Sequence, residues 1–88
     1  MDAEERYIVD GELLKNIDRL HTTPMGVDRI RRNLEIAVPD VVEYCRELIR
    51  REDTVIGRQG KNWYAYCGDA VITVNAYSYT IITAHRKK

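Results

Sequence analysis

Residues 54–86, TVIGRQGKNWYAYCGDAVITVNAYSYTIITAHR, decide the fold. Four short runs rich in β-branched and aromatic residues alternate here with a period of two, which is typical of β-strands. The pairs Gly60-Lys61 and Gly68-Asp69 and the segment 76–78 separate the runs. Connections this short join antiparallel neighbours, because a parallel return needs a long crossover. The stretch therefore predicts a four-stranded antiparallel meander.

Apolar residues repeat with helical spacing N-terminal to the strands, in three separate stripes. Thr23 before Pro24 predicts a helix start, because the hydroxyl caps free N–H groups and proline is tolerated at the first helical position. A third helix is expected to begin near Pro39 or Asp40. Helices followed by strands predict an α+β fold, with three N-terminal helices packed on one face of the meander. The stripes are Leu13, Leu14, Ile17 and Leu20; Val27, Ile30 and Leu34; and Val42, Cys45, Leu48 and Ile49.

The length of 88 residues predicts a single domain over residues 1–88. Within it, 9–53 form the helical part, 54–88 the sheet, and 1–8 a loosely attached start. The formal net charge is zero. The acidic start MDAEER lacks the basic and apolar regions of a signal peptide, and no apolar run is long enough to cross a bilayer. We therefore expect a cytoplasmic protein with no membrane partner.

The two cysteines, Cys45 and Cys67, are expected to be buried thiols without a disulfide, as is usual in a cytosolic chain. Together with His21 and His85 they lack the spacing of metal ligands, so no metal and no cofactor is expected. His21 itself is interpreted as a structural residue of the turn between the first two helices.

The sheet should carry one polar face. In each strand the more apolar set of side chains is expected to meet the helices, which leaves the other set outside. A polar, tyrosine-rich face of this kind is not a core. A one-residue bulge in any strand would reverse its assignment. The outer set comprises Tyr64, Tyr66, Thr73, Asn75, Tyr79, Thr83 and His85.

His85 suggests phosphodiester chemistry on this face. Histidine can serve as general acid or base near neutral pH, and cleavage of RNA by its own 2′-hydroxyl needs both functions. Lys61 and Arg86 would neutralise the phosphate, while Thr83 would position the histidine or the substrate. Tyrosines can stack unpaired bases. The predicted catalytic set is His85, Thr83, Lys61 and Arg86, and the predicted substrate-binding set is Tyr79, Tyr64, Tyr66, Asn75 and Thr73.

Three other interpretations of the same residues stay open. The ending HRKK can simply protect a sheet edge and keep the protein in solution. The tyrosine-rich face can bind a protein partner or a second copy of the chain, since tyrosine and arginine are enriched at interfaces. A small ligand can bind between helices and sheet around Trp63 and Tyr66.

Two long strings carry a family resemblance: LHTTPMGVDRIRRNL (20–34) and GKNWYAYCGDAVITVNAYSYTIITAH (60–85). They resemble the small bacterial domain-of-unknown-function family DUF3781 over residues 13–85, and this resemblance implies no particular activity. The predicted architecture is also similar to the barnase–EndoU–colicin–RelE group of ribonucleases, a likeness of fold alone. That likeness implies RNA as substrate and sheet positions for His85, Thr83, Lys61 and Arg86. The zero net charge differs from that of free toxins of the group.

Overall fold

Local capping sets where the two longer helices begin. In a computed structural model, which describes residues 11–87, the Thr23 hydroxyl accepts a hydrogen bond of 3.0 Å from the Gly26 N–H. The Asp40 carboxylate accepts one of 3.0 Å from the Glu43 N–H. Each bond satisfies an N–H group that has no partner within its helix, so both predicted starts are confirmed. Within the described residues the helices are α1 (Glu12–Lys15), α2 (Pro24–Leu34) and α3 (Val41–Arg50).

The first helix is shorter than its apolar stripe predicts. It ends after Lys15, and a 3₁₀ turn follows over Ile17–Arg19. Leu13, Ile17 and Leu20 are buried as expected. Leu14, however, is 41 % exposed, so its predicted place in the core was wrong. The stripe assumed one continuous helix, and the break after α1 changes which side chains face the sheet.

The strands form the predicted meander. β1 (Val55–Gln59), β2 (Asn62–Cys67), β3 (Ala70–Asn75) and β4 (Ile81–Arg86) pair antiparallel in the order β1-β2-β3-β4. The first two connections are two-residue hairpin turns, in which Gly60 and Gly68 have φ angles of +61° and +62°. Glycine adopts such angles at little cost, which explains its place in both turns.

The helices cover one face of the sheet, as predicted, and the core lies between the two layers. Ile30 and Leu34 of α2 and Cys45 and Ile49 of α3 supply the helix side of this core. Both cysteines are free and buried, which confirms their expected role as small apolar residues. The sheet contributes Ile56, Trp63, Ala65, Cys67, Ala70, Ile72, Val74, Ile81 and Ala84.

The start of β4 departs from the prediction. The register shifts at Thr73 and Val74, so that Ile81 pairs with Val74 and is buried, while Ile82 is 45 % exposed. This irregularity reverses the expected orientation of the two isoleucines. Tyr79 has a φ of +65° and precedes the strand instead of belonging to it.

Across residues 11–87, each helix is too short or too polar to cross a bilayer. The segment 1–8, expected to be loosely attached, lies outside the described residues.

Candidate functional site

The sheet face opposite the helices carries the candidate site. Strand register places two rows of residues on it, because residues directly opposite each other in neighbouring strands point to the same side. We call these eight residues the open face. One row is Gly57, Tyr64, Thr73 and Thr83, and the other is Val55, Tyr66, Val71 and His85.

Side chains of the open face differ in how accessible they are. Tyr66 is 36 % exposed, and His85 is exposed at the end of its row. Tyr64 and Thr83 are half-buried. Thr73 is only 6 % exposed, since it lies between those two residues in the sheet. A ligand on this face would therefore meet chiefly tyrosine rings and the imidazole, with Thr73 beneath them.

One cation on the open face is Lys87, a residue absent from the predicted site. Its ammonium nitrogen lies 5.9 Å from the centre of the Tyr66 ring, within the range of a cation–π contact. The Lys87 N–H donates to the Asp69 carbonyl at 2.6 Å, which fixes the backbone just after β4. Strand alternation could have identified it, because residues 85 and 87 point to the same side.

Arg86 does not accompany His85. Its Nε and one terminal nitrogen donate to the carbonyl oxygen of Leu34 at 3.2 and 2.8 Å, and its other terminal nitrogen lies 3.1 Å from an Asp69 carboxylate oxygen. The side chain therefore extends to the helix layer and caps the C-terminal end of α2. Its predicted place beside His85 was wrong, because adjacent residues of a strand face opposite sides.

Lys61 lies at the other end of the sheet. It occupies the turn between β1 and β2, whereas His85 is level with Tyr66, five residues further along β2. At about 3.3 Å per residue, that offset is roughly 16 Å along the strand. The prediction that Lys61 flanks His85 was therefore wrong. Hairpin turns alternate between the two ends of a meander, and the turn that contains Lys61 opens at the end away from His85.

Asn75 is occupied by the connection between β3 and β4. Its side-chain oxygen accepts from the N–H groups of Tyr77 and Ser78, both at 2.9 Å, and from the Ser78 hydroxyl at 3.2 Å. These bonds close the loop, as asparagine side chains often do in turns. The geometry gives Asn75 a structural role at the end of β3.

Tyr79 packs into the core and not on the open face. It is 4 % exposed, and its ring meets Trp63 edge to face at a centroid distance of 5.1 Å. The Asn16 amide donates to its hydroxyl at 3.2 Å, and the Arg19 guanidinium lies 4.3 Å from the ring centre. Its predicted place beside Thr83 and His85 was wrong, because the chain turns at Tyr79 before β4 begins.

The interpretation of a ligand pocket around Trp63 and Tyr66 does not fit the sheet. Trp63 is 2 % exposed within the core, while Tyr66 lies on the open face. The sheet separates the two rings, so they cannot line one pocket. Within the described part of the chain, no group of three or more histidine, cysteine or acidic side chains could hold a metal ion.

Comparison with known proteins identifies a family. The family model described as "Protein of unknown function (DUF3781)" matches residues 14–85, which is most of the chain. No curated protein and no solved structure matches the chain.

Proposed function

The chain belongs to the DUF3781 family of proteins of unknown function, and we propose that its open face binds single-stranded RNA. The observation that carries this proposal is a sheet face that combines two tyrosines with a histidine and a lysine. We place the binding in the cytoplasm. The two free thiols, Cys45 and Cys67, support that location, because cytosolic thiols stay reduced.

The two tyrosines suit unpaired bases. Tyr64 and Tyr66 stand two residues apart on the inner strand β2, so their Cα atoms are roughly 6.6 Å apart along it. Successive bases of an extended strand can each meet one ring. Such stacking tolerates any base and is worth about 1–3 kcal/mol per base. We therefore expect little sequence preference.

Charge on this face also favours an anionic ligand. Lys87 and His85 lie at the end of the row that contains Tyr66. None of the eight residues of the open face carries a carboxylate. A phosphate next to Tyr66 would therefore meet one permanent cation and one imidazole, and none of the eight residues would oppose it with a negative charge.

We propose binding and not cleavage. Cleavage needs an acid, a base and cations on the phosphate. Arg86 is engaged with Leu34 and Asp69, and Lys61 lies at the far end of the sheet. Of the predicted catalytic set, Thr83 remains on the open face with His85, and His85 serves in this proposal as a phosphate and base contact.

Fluorescence anisotropy with a short labelled single-stranded RNA tests the proposal. Tyr66→Ala should weaken binding about 5- to 150-fold through the lost stacking. Lys87→Ala should weaken it less and reduce the salt dependence by roughly 0.7 in the log–log slope. Tyr77→Ala and Lys61→Ala are matched controls, since Tyr77 is 66 % exposed and Lys61 is exposed, both away from the open face.

Equal losses in the Tyr66 and Tyr77 variants would contradict the proposal, as would undetectable binding of the wild type at low salt. A gel assay of the same RNA tests the alternative that the open face cleaves RNA. Cleavage by the wild type that disappears in His85→Ala would show that this face is catalytic.

A second copy of the chain is the alternative occupant. Val55 is 43 % exposed and Tyr66 36 % exposed on the open face, and Ile82, next to the register shift in β4, is 45 % exposed. These exposed apolar side chains suit contact with another protein surface better than contact with a phosphate chain. Light scattering decides between the two. A dimer that becomes monomeric in Val55→Asp, with no RNA binding, would support the interface and exclude RNA.

A further inference from the structure

Three side chains outside the open face form a continuous row of close polar contacts. The His21 Nε2 lies 3.1 Å from the Thr80 hydroxyl, which lies 2.8 Å from the Ser78 hydroxyl. The His21 Nδ1 lies 2.8 Å from the carbonyl oxygen of Arg19. His21 and Ser78 are exposed and Thr80 is half-buried, so the row is open to solvent.

The backbone holds His21 beside Thr80. The His21 N–H donates to the Tyr79 carbonyl at 3.2 Å, and the Ile81 N–H donates to the His21 carbonyl at 2.8 Å. These bonds form a parallel bridge between His21 and Thr80. Because main-chain atoms make the bridge, replacing the imidazole leaves it in place.

The Arg19 contact decides the tautomer of His21. A carbonyl oxygen only accepts, so Nδ1 carries the proton and donates it. In the neutral imidazole, Nε2 is then the acceptor and takes its hydrogen bond from the Thr80 hydroxyl. A hydroxyl bonded to an imidazole that a third group orients is the arrangement of an activated nucleophile.

We propose that Thr80 and His21 form a nucleophile–base pair that accepts an acyl group from an activated carboxylic ester. This site does not depend on the proposed RNA binding, because it involves none of the eight residues of the open face. Ser78 is a neighbouring hydroxyl whose proton points to the Asn75 side-chain oxygen in the free protein. Rotation of this hydroxyl away from Asn75 would let it donate to the oxygen on which negative charge develops.

The reaction proceeds in two balanced steps. Thr80 Oγ1 bonds to the carbonyl carbon while its proton passes to His21 Nε2; the carbon–oxygen bond to the leaving group then breaks, and the leaving oxygen takes the proton from Nε2. Water next attacks the acyl-threonine and gives its proton to Nε2. Release of the carboxylic acid returns that proton to the Thr80 oxygen. No oxidant or metal takes part in either step.

The probe is p-nitrophenyl acetate, followed by tandem mass spectrometry of the protein. We expect acetyl on Thr80 of the wild type and on residue 80 of Thr80→Ser, and none there in Thr80→Val. His21→Ala should acylate about 100-fold more slowly, the usual contribution of a general base. Added imidazole should restore the rate in His21→Ala but not in Thr80→Val, after subtraction of the reaction of imidazole alone.

Acetyl found only on amines or histidines of the wild type would overturn the proposal without recourse to any variant. An unchanged rate of Thr80 acylation in His21→Ala would also overturn it, because the base would then have no part. The imidazole rescue separates a chemical role from a structural one, since a loss of structure would not respond to it.

Discussion

Cys45 is a fully buried residue whose chemistry is set by its surroundings. It has 0 % of its surface exposed, between α3 and the sheet. Burial, with a smaller contribution from the nearby Cys67, raises the pKa of its thiol to about 12. Burial likewise raises the pKa of Cys67. Both thiols therefore stay protonated, and thus poorly nucleophilic, at neutral pH.

These pKa shifts predict how stability depends on pH. In the unfolded chain a cysteine has a pKa of about 8.5, so above that pH the unfolded state loses a proton that the folded state keeps. The free energy of unfolding should therefore be unaffected by Cys45 below about pH 8. It should fall by up to roughly 1.4 kcal/mol per pH unit as pH rises from there toward the folded pKa of about 12.

Urea unfolding at pH 8 and pH 10 measures this fall, and Cys45→Ala should show a smaller one. A thiol reagent at pH 8 supplies an independent readout: native protein should react slowly and urea-unfolded protein fast. Fast labelling of Cys45 in the native protein would contradict the buried, protonated thiol described above.

Single residues also mark the limits of sequence reasoning. Thr23 and Asp40 were predictable as helix starts because a cap depends on residues within one turn. The position of Tyr79 was not predictable, because tertiary contacts hold its left-handed backbone conformation. The partners of its ring, Trp63 and Arg19, are remote in sequence. Local propensity contains no information about either contact.

At the scale of elements, Arg86 joins β4 to the end of α2. The last carbonyl groups of a helix have no partner within it, and Arg86 donates twice to one of them, on Leu34. Arg86→Ala should lower the free energy of unfolding by about 1–2 kcal/mol, since the arginine is partly exposed and its ion pair with Asp69 is screened. Arg29→Ala, at an exposed position within α2, is the matched control and should change stability little.

The same Arg86 variant separates a structural from a phosphate-binding role. Urea unfolding measures its stability, and anisotropy measures its RNA affinity under conditions in which it is fully folded. Unchanged stability combined with lost RNA affinity would return Arg86 to the site in which the sequence pattern placed it.

Strand β4 shows why the candidate site was only partly predictable. Alternation placed Thr83 and His85 on the same face as Tyr64 and Tyr66, in agreement with the observed register. The irregularity opposite Val74 then reversed Ile81 and Ile82. A bulge is recognised from the pairing of two strands, and one strand's sequence does not report it.

For the whole molecule, fold class was more accessible than the site. Hairpin turns at Gly60 and Gly68 and amphipathic helices before them leave few ways to assemble the chain. Which basic side chain reaches His85 depends on the end of the sheet at which each turn opens and on the register of each pair. That is why Lys87, and not Lys61 or Arg86, lies over the Tyr66 ring on the open face.

The bridge between His21 and Thr80 has a consequence for the order of folding. Neighbouring strands in the sheet are also neighbours in the chain, so each hairpin closes a short loop, whereas this bridge joins residues separated by 59 positions. Because short loops close at lower entropic cost, we expect the hairpins to be formed in the folding transition state and the bridge to form later. Gly68→Ala, at a φ of +62°, should mainly slow refolding, while Thr80→Val, which removes the side-chain hydrogen bond to His21 beside the bridge, should mainly accelerate unfolding. Stopped-flow measurements in urea test this order. If His21 and Thr80 met before the hairpins formed, Thr80→Val would mainly slow refolding and Gly68→Ala would mainly accelerate unfolding.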